Sequence, residues 1–323
     1  MRYDFARFLV ISLAGALISI PVSLANSTAD LANDRFMSTA QLLPSWIAAF
    51  SGEAEFQAER IVIGRDRLEN AVVPIQFDSH KFSVQRAHAA IGSGTVELDW
   101  NHNIANGQNS VTFAGHDLSA GDFATLRSLV DAPVDFRIEL DGLGRSPYEF
   151  LFDARGNVKV DLGPGAFASN DLEQAGSDLL SYIVAGLNPF ASRSEETPFR
   201  CAKARFEIHG GEVPELQLLG LQTEQFTVLC NGKMNFNTEH VELVCRPHQH
   251  TGFVPDGLSV VPSVEISGTF SEPEIDINKL GVLKQGASLG IGITGFGVSQ
   301  IAGLLAQTRP SVEPCLIHRG GAR

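Results

Sequence analysis

The chain has 323 residues, of which 44% are hydrophobic, and a formal net charge of −13 at pH 7. This apolar fraction is sufficient for a folded core and excludes a disordered chain. The negative charge argues against nucleic acid as a partner and against tight adhesion to an anionic membrane surface. The 31 glycines and 15 prolines lie between many short alternating segments, which is typical of a turn-rich β protein.

The first 25 residues have the pattern of an export signal. Two arginines precede an almost wholly apolar run at 8–25, which ends in the small residues Ser23-Leu24-Ala25. We expect residues 1–25 to serve as a cleaved signal peptide or as a membrane anchor, since the run approaches the ~20 residues that span a bilayer. Pro21 favours cleavage, and we expect 26–323 to form a single domain.

The next third of the chain alternates between apolar and polar residues in short runs. This alternation predicts strands at 56–63, 71–77, 81–90 and 95–100. A short helix is predicted before them at 38–50, where Leu42, Leu43, Trp46, Ile47 and Phe50 lie on one stripe. A second helix is predicted after them at 117–130, with Ser119 as its N-cap.

The clearest single strand is 134–141, in which Phe136, Ile138 and Leu140 alternate with charged residues. The two glycines at 142–145 predict a tight turn. A phosphate-binding loop is excluded, because the glycine-lysine-serine ending of such a loop is absent. A strand follows at 158–162, and 169–187 predicts an amphipathic helix.

The stretch from 202 to 277 keeps its alternation for the longest distance. A strand at 202–209 places Ala202, Ala204, Phe206 and Ile208 on one face and charged residues or histidine on the other. Further strands are predicted at 226–236, 240–245, 264–270 and 274–277, separated by polar turns. This part of the chain therefore predicts a meander of antiparallel hairpins.

The segment 281–307 differs in composition from the rest of the chain. It carries one charge, Lys284, and many glycines among aliphatic residues. Two interpretations stay open: a helix packed across the end of the sheet, or a segment in contact with a membrane, where small residues favour close helix packing.

Four cysteines in an exported chain predict two disulfides. The polar turn at 237–239 places Cys230 roughly opposite Cys245 on the neighbouring strand, within reach of a cross-strand bridge. The alternative is that some cysteines remain buried thiols, because strand register is not fixed by sequence.

The sequence contains no recognisable catalytic motif or cofactor site. His248 and His250 offer two imidazoles, but a zinc site requires four ligands and no others have suitable spacing. We therefore expect no metal and no enzymatic activity, although a missing motif does not exclude a new kind of active site.

Three segments in a fixed order resemble the C-terminal region of the AsmA family of Gram-negative envelope proteins. They are "TPFRCAKARFEIHGGEV", "FTVLCNGKMNFNTEHVELVCRP" and "VEISGTFSEPEIDIN", and weaker similarity extends the resemblance over roughly 45–323. The resemblance implies an elongated, curved β meander, a groove or half-pipe, that carries phospholipid acyl chains between two membranes. It also implies a periplasmic location, an inner-membrane anchor at the N-terminus and a second disulfide between Cys201 and Cys315.

From this resemblance we expect a lipid-shielding groove lined by the apolar residues of the strands. The candidate lining residues are Phe136, Ile138, Leu140, Phe206, Ile208, Phe226, Val228, Met234, Phe236, Val241, Leu243, Val264 and Ile266. Each of them also has an ordinary interpretation as a core residue of a closed sandwich. The alternative function is a scaffold or assembly factor whose sheet edges pair with strands of outer-membrane proteins.

Overall fold

The structure is a computed structural model. It describes residues 41–63, 66–123, 126–127, 130–168, 196–224, 226–249, 263–270, 273–278 and 313–316. The expected export segment at 1–25, the expected helix at 169–187 and the apolar segment at 281–307 lie outside the described residues.

The described residues form seventeen strands and one α-helix. The strands are β1 (Gly52–Ile63), β2 (Asp66–Phe77), β3 (Lys81–Ile91), β4 (Gly94–Asn103), β5 (Gln108–Ser119), β6 (Val130–Asp131), β7 (Pro133–Leu143), β8 (Arg155–Leu162), β9 (Gly165–Ala168), β10 (Glu196–Phe199), β11 (Cys201–His209), β12 (Glu212–Val213), β13 (Leu216–Gln222), β14 (Phe226–Asn235), β15 (His240–Gln249), β16 (Ser263–Gly268) and β17 (Pro273–Asn278). The helix, α1, is Pro147–Asp153. Short 3-10 helices lie at Ser45–Ala49, Ala120–Asp122 and Pro314–Leu316.

Fourteen of the strands form one antiparallel sheet. Its order follows the chain from β1 to β17, and β6, β9 and β10 leave this path to form a separate three-stranded sheet. Each strand thus pairs mainly with its neighbours in sequence, as expected for hairpins joined end to end. The prediction of a mainly β antiparallel meander is confirmed.

Three bulges interrupt the ladder in its first half. Asn70, Arg86 and Asp117 have φ values of 52°, 55° and 55° and lie where the register of β2, β3 and β5 shifts. The Arg86 amide donates to Asp99 at 2.7 Å, and the Asp117 amide donates to Asp135 at 2.9 Å. Because a bulge bends its strand and increases the local twist, these three positions curve the sheet.

The helix predicted at 117–130 is wrong for its first part. β5 continues to Ser119, and a 3-10 turn at Ala120–Asp122 follows. Ser119 does serve as an N-cap, since its hydroxyl accepts a hydrogen bond from the Gly121 amide at 3.2 Å. The buried residues Leu118 and Ala120 belong to the sheet core, so tertiary packing decided the conformation where local periodicity indicated a helix.

Of the helix expected at 38–50, the structure describes 41–50, and within that range only Ser45–Ala49 is helical, as a 3-10 turn. The tight turn expected at 142–145 is shifted along the chain: β7 runs to Leu143, and a short connection then leads to α1, which begins at Pro147. Ser146 caps α1 by accepting from the Glu149 amide at 3.2 Å, and a proline at the first helical position favours this start.

Candidate apolar binding face

Cross-strand pairing brings the apolar residues of successive strands to one face of the sheet. Directly paired residues of antiparallel strands point to the same side. One such row runs over six strands through Ala87, Leu98, Phe113, Ile138, Val158 and Phe206. A parallel row runs through Val84, Trp100, Val111, Leu140, Gly156 and Ile208. We call the side that carries these rows the inner face.

The inner face continues through the second half of the sheet. Ala202 pairs with Leu221, and Leu221 pairs with Val228, so β11, β13 and β14 share it. The remaining pairs are Met234 with Val241, Leu243 with Ile266, and Cys245 with Val264. An uninterrupted apolar surface therefore extends from β3 to β16.

The thirteen residues predicted to line a groove all belong to the inner-face core. Buried members are Ile138, Leu140, Phe206, Ile208, Phe226, Val228, Met234, Val241 and Val264. The other four, Phe136, Phe236, Leu243 and Ile266, are partly buried and pack against the same clusters. Most form one large cluster, whereas Phe226, Val228 and Val264 form a smaller one beside the Cys230–Cys245 disulfide.

The sequence interpretation missed β5, which lies in the middle of the inner face. Val111 and Phe113 are buried there, and the Phe113 ring lies 4.9 Å from that of Phe136. The alternation of Val111 and Phe113 is flanked by Gln, Asn, Gly, His and Asp residues. The signals for β5 in the sequence are limited to the alternation of Val111 with Phe113 and to the predicted strands on either side.

One end of the inner face is closed by turns that bind one another. We call it the turn end. Backbone amides join neighbouring turns there: Ile104 to His80, Gly144 to Gly107, Leu42 to Arg145, Gly211 to Ala154, Phe236 to Gly211, and Phe270 to Glu239.

Apolar side chains fill the turn end behind these hydrogen bonds. Leu43 and Ile47 pack on the core, as do the buried α1 residues Phe150 and Leu151. Leu42 lies beside the end of β7, whereas β1 forms the edge of the sheet. The chain from Leu42 to β1 therefore crosses the ends of β2 to β5 and covers the apolar side chains below.

The opposite end of the sheet is held by a disulfide, and we call it the disulfide end. Cys201 is joined to Cys315, whose amide donates to the Gln222 side chain at 3.3 Å. The two ends of the inner face therefore differ: hydrogen-bonded turns close one, and a disulfide holds the other.

The two disulfides pair Cys201 with Cys315 and Cys230 with Cys245, and no cysteine remains free. The second bridge joins residues that lie directly opposite each other on β14 and β15. Disulfides of this kind are consistent with an oxidising compartment outside the cytoplasm.

The other side of the sheet, the outer face, is charged. Asp161 binds Arg205 at 2.6 Å and lies 3.6 Å from the Lys203 ammonium, and these three side chains are mostly buried. More exposed pairs join Arg137 with Glu139 and Lys233 with Glu242. These charged pairs distinguish the outer face from the largely apolar inner face.

A buried polar network borders the apolar surface of the inner face at the turn end. The Asn109 side chain accepts from Trp100 Nε1 at 3.1 Å and from His102 Nδ1 at 2.8 Å, and it donates to the carbonyls of Gly107 and Gly144. Burial lowers the pKa of His102, against the smaller raising effect of Asn109. This histidine is thus a neutral, structural group that ties β4 to Asn109 of β5.

Two shallow depressions lie outside the inner face. One of about 450 Å³ is next to Leu118 and Pro133, and one of about 560 Å³ is lined by Leu143, Tyr148 and Phe152. Among the described residues no three His, Cys, Asp or Glu side chains come together as metal ligands. Within the same ranges, no helix is long and apolar enough to cross a bilayer.

Comparison with known proteins finds no family model that matches the chain, and neither a curated protein nor a solved structure matches it.

Proposed function

We propose that this chain is a periplasmic, AsmA-like protein that shields phospholipid acyl chains against the inner face of its sheet and supports lipid transport and outer-membrane biogenesis. The observation that carries the proposal is the uninterrupted apolar surface from β3 to β16, formed by cross-strand pairs. Burial of acyl carbons contributes about 0.8 kcal/mol per CH₂. Such a surface can therefore hold lipid without polar recognition of the headgroup.

Both disulfides support a location in an oxidising compartment. The apolar N-terminal run at 8–25 supports export, with attachment to the inner membrane where it is retained. The apolar segment at 281–307 is a second candidate for membrane contact, and the three segments similar to the AsmA family support the same assignment.

Side chains that are only partly buried are the first points of contact for an acyl chain. Phe136, Leu243 and Ile266 have this property, whereas Ile138 and Ile208 are fully packed. A lipid that lies along the inner face replaces contacts between side chains by contacts with acyl carbon, so the apolar area removed from water is preserved.

The decisive experiment uses photocrosslinking at neighbouring residues of one strand. Benzoylphenylalanine replaces Phe136 or Leu243 on the inner face, and Arg137 or Val244 on the outer face serves as the matched control. Because successive strand residues point to opposite faces, each pair differs in side and hardly in position.

We expect phospholipid adducts at Phe136 and Leu243 and none at Arg137 and Val244 when the full chain is irradiated in cells and analysed by mass spectrometry. Adducts on both faces, or on neither, would contradict a lipid-binding inner face. Lipid-free protein throughout would instead favour the non-enzymatic scaffold or assembly factor for outer-membrane proteins.

A further inference from the structure

The edge strand β1 differs from every other long strand described here. It has twelve residues, and from Gly52 to Val62 it is exposed on both faces apart from Ala58 and Ile61, which are half-buried. Phe56 and Val62 retain 51% and 61% of their accessible surface. Within the described residues β1 pairs only with β2. A long edge with exposed apolar side chains is a template for another strand.

We propose that β1 pairs with β1 of a second copy of this chain, antiparallel, with Ala58 on the two-fold axis. A two-fold axis perpendicular to the sheet pairs identical strands and keeps their corresponding faces on the same side. In this register, Phe56 opposes Arg60 of the second copy and Ala54 opposes Val62, each pair occurring twice.

The charges of β1 select this register among those that pair most of the strand. Centring the axis on Gln57 opposes Glu55 with Glu59, and centring it on Phe56 opposes Glu53 with Glu59. Centring it on Glu59 opposes two copies of that carboxylate. Like charges directly opposite each other destabilise a strand pair.

With Ala58 on the axis, no carboxylate directly opposes another. Gln57 then faces Glu59 of the second copy, which permits a hydrogen bond, and the Arg60 guanidinium lies beside the exposed Phe56 ring. Arginine beside an aromatic ring is an attractive pair. The register therefore combines apolar contact, cation–π contact and hydrogen bonding along one strand.

As a partner for β1, β1 of the second copy is more suitable than β17, the strand at the other edge of the sheet. β17 has six residues, begins at Pro273 and contains Glu274 and Asp276, so its pairing with the acidic β1 would oppose carboxylates. A single strand pair is a small interface, and we expect the dimer to dissociate on dilution.

The pairing would place the proposed lipid-binding inner faces of the two copies on the same side of one continuous sheet. This consequence rests on the proposed function, whereas the pairing itself does not. Loss of the dimer and loss of lipid binding are therefore measured separately.

Disulfide trapping tests the register directly. The chain has no free cysteine, so Ala58→Cys introduces the only thiol of the full chain. At the axis, two such residues lie opposite each other within disulfide distance. Ala54→Cys is the matched control, because the two copies of residue 54 would lie eight positions apart along the strand pair.

We expect Ala58→Cys to form a covalent homodimer on non-reducing electrophoresis and Ala54→Cys to remain monomeric. Equal crosslinking of the two variants, or crosslinking of neither, overturns the proposal. A crosslink from Ala58→Cys to a different protein also overturns it, and mass spectrometry of the product identifies that case.

A charge exchange supplies the second test on the Ala58→Cys background. Phe56→Lys opposes Arg60 with a like charge and is expected to lower the crosslinked fraction by about tenfold. Adding Arg60→Glu restores an attractive pair and is expected to restore the crosslink. An unchanged yield with Phe56→Lys, or no recovery in the double variant, contradicts the register.

The same variants separate the two proposals when they also carry benzoylphenylalanine at Phe136. If Phe56→Lys removes the crosslink but the lipid adducts persist, dimerisation has failed while the inner face still binds lipid. A retained homodimer without lipid adducts contradicts the proposed function and leaves the β1 pairing intact.

Discussion

Asn109 is the residue on which the polar contacts of the turn end converge. Its side chain is 1% exposed and makes four hydrogen bonds, to Trp100, His102, Gly107 and Gly144. No other amide orientation satisfies these partners equally, because two of them donate and two accept. The network fixes β4, β5 and the end of β7 relative to one another.

We expect Asn109→Ala to lower the free energy of unfolding by about 3 kcal/mol, since it leaves two buried donors and two carbonyls without their partner. Chemical denaturation measures the change. The control is Asn106→Ala, because Asn106 is exposed and accepts only the Gln108 amide at 3.0 Å. A loss at Asn109 no larger than that at Asn106 would show that water replaces the network.

His102 makes the stability of the fold depend on pH. Burial lowers its pKa from the ordinary value of 6.5, so the unfolded chain binds a proton more readily than the folded chain. Stability contributed by the neutral ring is fully present above pH 6.5 and is lost as the pH falls from there towards the folded-state pKa.

We expect the free energy of unfolding to fall between about pH 7.5 and about pH 5.5, and to fall less in His102→Gln, which keeps a donor towards Asn109 but does not titrate. Denaturant midpoints at the two pH values measure the difference. His88→Gln is the control at an exposed histidine. The same drop in His102→Gln as in the parent would assign the pH dependence to other groups.

At the scale of elements, the two disulfides constrain loops of very different length. Cys201–Cys315 spans 114 residues and Cys230–Cys245 spans 15. A crosslink restricts the unfolded chain more when its loop is longer, by about 4.7 kcal/mol for ~100 residues against about 3 kcal/mol for ~15. The longer bridge also holds the 3-10 turn Pro314–Leu316 against β11 and β13.

We therefore expect Cys201→Ala with Cys315→Ala to destabilise the chain by roughly 1–2 kcal/mol more than Cys230→Ala with Cys245→Ala. Each double variant removes one bridge and leaves no free thiol, and denaturant unfolding compares the two. If removal of the short bridge cost as much or more, the stabilisation would come from packing around Cys245 and not from the unfolded chain.

The strands could be predicted from sequence where alternation was strict, and the other elements could not. Phe136, Ile138 and Leu140 alternate with charges, so their strand is evident from side-chain periodicity alone. β5 is hidden because polar Asn109 and small Gly115 occupy inner-face positions, one satisfied by the network and one beneath the Phe136 ring.

The inner face could be predicted as a set of residues but not as a surface. Alternation states which residues of one strand share a side, while strand order and register decide whether the sides of different strands coincide. The bulges at Arg86 and Asp117 change the register within β3 and β5. A single arginine or aspartate within a strand does not reveal that a bulge occurs there.

For the whole molecule, the turn end limits the directions from which a lipid of the proposed function could reach the inner face. Turns joined by hydrogen bonds close the turn end, and α1 places Phe150 and Leu151 behind them. If the proposed function holds, acyl chains are therefore expected to reach the inner face from a side other than the turn end.

A surface that holds lipid by apolar contact alone has an affinity governed by acyl length. Each additional methylene on the inner face contributes up to about 0.8 kcal/mol, which is a factor of roughly four in the dissociation constant. We expect the affinity of the full chain for phosphatidylethanolamines, measured by calorimetry below their micelle concentrations, to rise steadily with chain length from six carbons upward. The headgroup is constant in this series, so it serves as its own control.

Leu243→Asn is expected to weaken binding of the longer lipids, because it places an amide on the inner face, while Val244→Asn on the outer face leaves binding unchanged. Leu243 is only partly buried, which favours folding of the variant. Affinity that does not change with acyl length would indicate recognition of the headgroup. An equal loss in both variants would place the binding site somewhere other than the inner face, since the two residues differ in the side of the sheet that they occupy.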